Sequence, residues 1–418
     1  MMELYHAYDL HGHYYKRIGS LHEKLHALTR KPFEDNMGWL ELQEDLLRLT
    51  ISVESKILKE KQKKKGQKAI LGDRNNRLSK EEAGIAKLLV KRCEDKIEQY
   101  HSLLSIFKSF GDAMAFTFID RFELKATTFR EDAGFLINKK GSRLERKCFR
   151  AAYRMGGIAI LNDLTNVLKY GDLTLVSEFR AAAYIEIKSG KRRNQRELRQ
   201  RERMKKLVDF LNHDTPTDIL RPGMISHRMA IAKPLEYHLK GLNQLIDRAT
   251  GAPVTAEEVE QGLVYIIAYG QVPDELIGET FGKFPLRKPV PFFFNQVKYN
   301  RLGYYPACMV FRDTGRYIDY LAGKLQIFVL WDTAVWEEIL SAQSLRLSDQ
   351  AEGEFMAFRI DGTFKGEPFA IEVGHYMINR ILFEFLSPGW YLDNILEMGA
   401  NLFNAPPDQL DKDPIIHQ

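Results

Sequence analysis

Apolar residues recur every three or four positions through the first hundred residues of the chain. Trp39, Leu42, Leu46, Leu49 and Val53 form one series. Ile85, Leu88, Leu89, Cys93, Ile97, Tyr100, Leu104 and Phe107 form another. That spacing puts each series on one face of a helix. Ser79, with Glu82 three residues on, is the sequence form of a capping box and marks the start of the second helix. The pattern predicts two long antiparallel helices within residues 1–110. A lysine-rich run at 56–68 falls in or near their connection, either as a solvated helix end or as a nucleic-acid contact.

From residue 111 the pattern shortens. GSRLERKCFRAAYRMGG has Ser142 and Glu145 at capping-box spacing and stops at Gly156-Gly157, which predicts a helix. IAIL (158–161), LTLV (173–176) and AAYIEIK (182–188) read as strands. Asn194 and Glu197 open another helix that runs to about Leu211. Helix, three strands and helix in this order predict a small mixed sheet covered by helices. After Pro216, Thr255 with Glu258 reads as a helix start. MVFRD (309–313), LQIFVLW (325–331), FMAFRI (355–360) and PFAIEV (368–373) read as strands, and YMINRILFEFL (376–386) as a helix. The expected fold class is α/β, α+β overall. Its parts are a helical arm (1–110), a sheet-bearing core (111–212), a C-terminal α/β unit of unassigned role (213–404) and a loose tail (405–418).

Composition narrows the function classes. The chain has 418 residues, is 44% hydrophobic and 28% charged, and has three cysteines, Cys93, Cys148 and Cys308, far apart in sequence. That excludes a disulfide framework. No apolar run reaches the roughly 18–20 residues that span a bilayer, and no signal peptide is visible, so no membrane and a cytoplasmic location are expected. The net charge is +5, yet residues 188–206 alone carry +8, leaving −3 for the rest. A basic patch directly after Lys188, with the lysine-rich run at 56–68, fits a polyanion partner better than a uniformly basic surface would.

Immediately before that patch, YGDLTLVSEFRAAAYIEIKSGK (170–191) places acids at the ends of two apolar runs. Folded as a hairpin turning at Phe179, it sets Asp172 opposite Glu186. Asp172, Thr174, Tyr184, Glu186 and Lys188 then share one face. Leu173, Leu175, Ala183, Ile185 and Ile187 share the other, which is apolar enough to bury against a helix. Two facing carboxylates repel unless a cation lies between them. Carboxylate oxygens with open water positions suit Mg²⁺, and Lys188 beside them can serve a water or a phosphate.

This arrangement resembles the PD-(D/E)xK nuclease superfamily, over roughly residues 140–212. The matching pieces are Gly171-Asp172, with glycine where the family's name has proline, and Glu186-Ile187-Lys188. The resemblance implies that Asp172, Glu186 and the backbone carbonyl of Ile187 bind Mg²⁺, with Mn²⁺ as a substitute, and that Lys188 serves the attacking water. It also implies an acid on the preceding helix, here Glu145, and a glutamine on the following one, Gln200 or, second, Gln195. The tripeptide alone is weak, since ExK recurs at 54, 94, 123 and 145; only the copy at 186 lies in an apolar, strand-like run. The expected function is metal-dependent hydrolysis of nucleic acid, DNA rather than RNA, in a restriction or anti-phage setting. Lys191, Arg192, Arg193, Arg196, Arg199, Arg203 and Lys206 are the expected phosphate contacts. A homo-oligomer or an assembly through the helical arm is expected as well. The rival is an inert nuclease fold that binds nucleic acid or assembles.

Two further signals compete. HEKLH (22–26) matches the HExxH pattern of zinc metalloproteins, without a clear third ligand; solvated or interhelical histidines are the alternative. FRIDGTFKGEPFAIEVG, with Asp361 and Glu372 set to face each other and glycine in place of the lysine, reads as an ordinary strand pair or a decayed second site.

Overall fold

The computed structural model describes residues 12–73, 78–128, 134–137, 139, 141–178, 180–188, 195–213, 215, 217–218, 233–297, 303–348, 356–364 and 366–404. Lys191, Arg192, Arg193, the Asn194 cap and the tail after 404 lie outside these residues. The chain forms two compact units, residues 1–204 with 299–309, and residues 205–298 with 310–418.

The first unit begins with α1 (Gly12–Thr29), α2 (Asn36–Gly72), α3 (Lys80–Phe118) and α4 (Arg121–Thr128). Helices α2 and α3 are the two long helices the periodicity predicts. Both halves of the Ser79–Glu82 capping box are present. Trp39, Leu42, Leu46 and Val53 are fully buried. The lysine run lies within the C-terminal half of α2, where Lys63 pairs with Glu60, and Lys64 and Lys68 with Glu94. At that level the hairpin interface is ionic. Ile85, Leu88 and Leu89, expected inside, are accordingly exposed, and the apolar seam of α3 is continuous only toward its C-terminal end.

Next come α5 (Ser142–Arg154), β1 (Ile158–Leu161), β2 (Leu173–Ser177), β3 (Arg180–Ile185) and α6 (Gln195–His213). The helix–strand–strand–strand–helix order is as expected. The sheet, however, is antiparallel throughout, in the order β1-β2-β3, and not mixed. The connections of residues 162–172 and 178–179 are too short for a parallel crossover with its covering helix. Strand β3 stops at Ile185, before the expected end at Lys188.

The β2–β3 register runs Leu173↔Ile185, Thr174↔Tyr184 and Leu175↔Ala183, as the hairpin expectation requires. The division of its faces is not as expected. Thr174 and Tyr184, assigned to the polar face, are buried, whereas Ala183 is exposed and Leu175 and Ile185 are half-buried. Helices cover the sheet on the side reached by Thr174, whose hydroxyl donates to Asn162 Oδ1 (2.8 Å), so a threonine there is satisfied without water.

Buried polar side chains of the long helices hold the sheet. Gln43 on α2 donates to Ala159 O (2.7 Å) and accepts from Leu161 N (2.8 Å), clasping β1 from its outer edge. Gly111 on α3 lies so close to the turn after β1 that a Cβ there would fall 2.0 Å from Leu164 O. Its neighbour Asp112 accepts from Asn166 N (2.6 Å), Asn166 Nδ2 (2.7 Å) and Val167 N (3.1 Å).

The second unit contains α7 (Leu239–Arg248), β4 (Val254–Glu260), β5 (Leu263–Tyr269), α8 (Asp274–Phe281), β6 (Pro289–Phe293), α10 (Thr314–Leu321), β7 (Leu325–Asp332), α11 (Ala334–Ala342), β8 (Arg346–Ser348), β9 (Met356–Phe364), β10 (Glu367–Gly374), α12 (His375–Glu384) and α13 (Pro388–Asn404); α9 (Ala307–Val310) has all but its last residue in the first unit. Two antiparallel sheets result, β4-β5-β7-β6 and β10-β9-β8. The predicted strands at 325–331 and 368–373 and the helix at 376–386 are present. The helix expected at Thr255 is instead β4, because VTAEEVE pairs along its length with the buried strand LVYIIAY. MVFRD is not a strand. Asn243 donates to Val310 O (2.8 Å) and accepts from Arg312 N (3.0 Å), satisfying backbone that a neighbouring strand would otherwise have to pair. Arg359, not Asp361, stands opposite Glu372, and its guanidinium lies 2.7 Å from Asp361 and 3.8 Å from Glu372. The hairpin is thus an ordinary strand pair with its acids neutralised.

Asp112 yields a test of the helix–sheet clasp. Burial pushes its carboxyl from 3.8 up to about 6, against the bonds from Asn166 and Val167 that pull it down. The folded protein therefore holds this proton more tightly than the unfolded chain. The group's contribution to stability is full below about pH 4 and is lost as pH rises through 6, by roughly 3 kcal/mol. Asp112→Asn cannot titrate. In urea denaturation the variant should gain on wild type between pH 4 and 7, and a difference that does not change with pH refutes the assignment.

Candidate active site

The site forms where three short segments meet at the end of the β1-β2-β3 sheet. The first is the turn after β1. Residues Asn162–Leu164 make a single 3-10 turn, and Asp163 sits at its middle. Asn162 fixes this turn to the start of β2: its backbone N–H donates to Asp172 O (3.1 Å) and its side chain to Tyr170 O (2.7 Å). The second segment is Gly171-Asp172. Gly171 has φ +74°, and a Cβ there would lie 2.7 Å from Ile185 O. Proline holds φ near −65°, so the residue in the superfamily's name cannot occupy this position. Glycine here is a backbone requirement of this chain. It lets Asp172 N donate to Ile185 O (2.7 Å).

The third segment is the start of α5. The expected capping box is absent: Gly141 is the N-cap, with φ +94°, and no side chain caps the helix. Glu145 is therefore free of the structural role its spacing suggests. It lies on the buried face of α5 with Phe149, Ala152 and Tyr153, and its carboxylate points at Lys139.

Lys139 is the residue the sequence did not single out. Its ammonium lies 2.5 Å from Asp163 Oδ2, 3.0 Å from Glu145 Oε2 and 3.5 Å from Asp172 Oδ1. Three carboxylates from three segments thus converge on one cation. The side chain of Glu145 is 8% exposed and those of Asp163 and Asp172 are 16% exposed. Burial pushes the Glu145 carboxyl up, the Lys139 ammonium pulls it back, and the nearby Asp172 and Asp163 raise it further. Burial acts to discharge Lys139, but Asp163 and then Glu145 outweigh it and hold the ammonium charged well above its ordinary range. Lys139 is presented by residues 136–137, whose backbone N–H groups donate to Glu54 on α2 (3.0 and 2.8 Å).

Asp172 also accepts from Ile187 N through its second oxygen (2.7 Å). This bond ties the strand end carrying Glu186 and Lys188 to the cluster. Glu186 and Lys188 pair with each other (2.6 Å), and Lys188 is the more exposed of the two. Among the sequence candidates, the structure brings Glu145 and Asp172 onto one ammonium, that of Lys139, and sets Ile187 against Asp172. Glu186 and Lys188 flank them as a separate ion pair. On α6, Arg199 and Arg203 are exposed, and Lys206 pairs with Asp218 (3.2 Å). The side chains of Gln195, Arg196 and Gln200 lie outside the described residues.

The chemistry of the cluster is all-oxygen on the acceptor side. Three carboxylates against one ammonium leave a formal charge of two negatives in a mostly buried pocket. That deficit matches a hard divalent cation, which takes oxygen ligands and tolerates open positions. Among the described residues no group of three or more His, Cys, Asp or Glu side chains stands open to a metal ion, and Lys139 holds the centre of this cluster. The HEKLH pair gives no such centre either. His22 is fully buried, its ring 4.3 Å from that of His26, and His26 Nε2 lies 3.0 Å from Cys308 O. These are interhelical histidines. Asp163 was missed because nothing marks NDL as a turn aimed at the strand ends. Lys139 was missed because its segment has no periodic pattern.

Gly171→Ala tests the positioning of Asp172. The added Cβ meets backbone in a conformation that costs non-glycine residues, so the variant should lose about 1–3 kcal/mol in chemical denaturation. Gly171→Pro should lose more. Wild-type stability in both would show that Gly171 does not set the strand end.

Comparison of the chain with protein-family models, with characterised proteins and with solved structures found no match.

Proposed function

We propose that the protein is a metal-dependent nuclease that hydrolyses phosphodiester bonds, with DNA as the preferred polymer. The observation that carries this reading is the convergence of Glu145, Asp163 and Asp172 beside the strand end that holds Glu186, Ile187 and Lys188. A helix acid, a strand-start aspartate and an ExK at the next strand end share one sheet end, as the resemblance to PD-(D/E)xK nucleases implies. Asp172, Glu186 and the Ile187 carbonyl would hold Mg²⁺ or Mn²⁺, with Asp163 and Glu145 supplying further negative charge. When bound, the ion would polarise the scissile phosphate and acidify a water molecule.

The chain's own residues do the rest. Asp172 is fixed by Ile187 N through one oxygen, so the other, which faces Lys139, has a defined direction. Lys188 is the most exposed cation at the site, able to meet a phosphate and to offset the charge that develops on it. Glu145 is made a weaker acid by burial, and the Lys139 cation beside it opposes that effect. Divalent-ion binding requires the Lys139 ammonium to withdraw from the centre of the three acids.

The same ammonium favours the second reading, an inert nuclease fold that binds nucleic acid. A lysine that never leaves would neutralise the cluster permanently. Mn²⁺ uptake by the wild type, set beside Lys139→Met in calorimetry, separates the two readings. If the ammonium withdraws, both proteins should take up Mn²⁺, the variant more tightly, and Asp172→Asn should abolish the uptake; uptake by Lys139→Met alone favours the inert fold.

Activity is tested on plasmid DNA and on RNA with Mg²⁺, Mn²⁺, Ca²⁺ or EDTA. Mg²⁺ and Mn²⁺ should support cleavage, and Ca²⁺ should bind without supporting it. Asp172→Ala, Glu186→Ala and Lys188→Ala should each lower the rate by several powers of ten. In EDTA the first two should bind nucleic acid as well as wild type or better, because they remove negative charge facing a polyanion. Lys188→Ala should bind equally or slightly worse. Cleavage that survives exhaustive EDTA treatment refutes the metal, and tight binding by a wild type that cuts nothing favours the inert fold.

A further inference from the structure

Helix α5 is two-sided. Its inner face carries Glu145, Phe149, Ala152 and Tyr153 into the core. Its outer face carries Arg143, Arg146, Lys147, Arg150 and Arg154 at three- and four-residue spacing, which makes one continuous stripe. With Ser142 and Leu40 of α2, these five cations line a groove of about 650 Å³. Arg143, Lys147, Arg150 and Arg154 are exposed and Arg146 is half-buried. Arg150 pairs with Glu44 (2.7 Å). Among the described residues no carboxylate lies within ion-pair distance of the other four.

Helix stability does not explain this stripe. Cations in the last turn, such as Arg154, are favoured by the helix dipole, but Arg143 and Arg146 stand near the positive end, where the dipole repels them. The cations also sit three and four residues from one another, where like charges destabilise a helix. The arrangement opposes the helix's own electrostatics over its first half, and a polyanion lying along the groove would reverse that opposition.

We propose that the outer face of α5 is a binding track for the phosphate backbone of nucleic acid. It deepens the nuclease reading and rests on it for the identity of the polymer. The stripe from Arg143 to Arg154 spans roughly 16 Å of helix, about the length of four or five phosphates of one strand. It begins within one turn of Glu145, so the helix that bears the track on its outer face also supplies one of the cluster's acids from its inner face. Contacts of this kind read the backbone and not the bases, so binding along α5 is indifferent to sequence and depends strongly on salt.

The test uses the full-length protein in EDTA, with a labelled 30-base-pair DNA duplex and a labelled 30-nucleotide RNA, titrated by fluorescence anisotropy across a range of KCl concentrations. The quadruple variant Arg143→Gln, Arg146→Gln, Lys147→Gln and Arg154→Gln leaves the Arg150–Glu44 pair in place. Its affinity should fall at least ~10-fold, and the slope of log affinity against log salt should shrink by about two to four units. The single variant Arg143→Glu puts an acid where the helix dipole favours one, so it should fold at least as well as wild type while binding more weakly. A loss for DNA alone, or for RNA alone, identifies the polymer carried by the track. If both variants keep wild-type affinity and slope for both polymers while the wild type cleaves with Mg²⁺, the α5 track is overturned and the nuclease reading stands. If the wild type cleaves nothing but the variants lose affinity, the track stands and the nuclease reading falls. If the wild type binds neither polymer, both fall.

Discussion

A sheet with strands of four, five and six residues cannot cover itself. Everything in the first unit follows from how the long helix pair covers it. Apolar contact supplies most of the attraction, but three polar side chains decide the alignment. Gln43 clasps β1, Glu54 collects the backbone ahead of Lys139, and Asp112 collects the backbone after the β1 turn. Each satisfies backbone groups that have no strand partner, which would otherwise be costly to bury. Remove the helices and neither Lys139 nor Asp163 has a fixed position.

The acid cluster is an electrostatic compromise between burial and pairing. A carboxylate withdrawn from water is costly, and three near one another are costlier. One ammonium reduces that cost without cancelling it. The segment carrying Lys139 is held by main-chain bonds to Glu54 and by the buried Leu136. The seat of the Lys139 ammonium among the three acids is an expression of their excess of negative charge.

The order of elements from α5 to α6 and the β2–β3 register were legible in the sequence because two short strands with matched alternation and a tight connection pair in one register. The Gly171-Asp172 and Glu186-Ile187-Lys188 positions followed from that register. The faces were not legible. Thr174 looks polar but is buried, since its partner Asn162 arrives from a turn that no periodicity marks. The capping-box spacing of Ser142 and Glu145 pointed to a local role, and tertiary attraction to Lys139 overrode it. At Thr255 a helix-start signal lost to pairing with an almost wholly apolar neighbour strand. Ile85, Leu88 and Leu89 fit the helical period and are exposed, because periodicity fixes a face and does not say whether anything lies opposite it.

The clasp by Gln43 and Asp112 also bears on the order in which the acid cluster is assembled during folding. Gln43 bonds residues 116 and 118 positions away, Glu54 reaches 82 and 83 positions, and Asp112 reaches 54 and 55. Contacts this distant in sequence form late, after the loop-closure entropy between them has been met. A nascent chain can wind α2 and α3 early, from local interactions alone, and still hold its acids scattered. The carboxylates meet only when the last of these long closures is complete, so the acid cluster is a property of the finished fold.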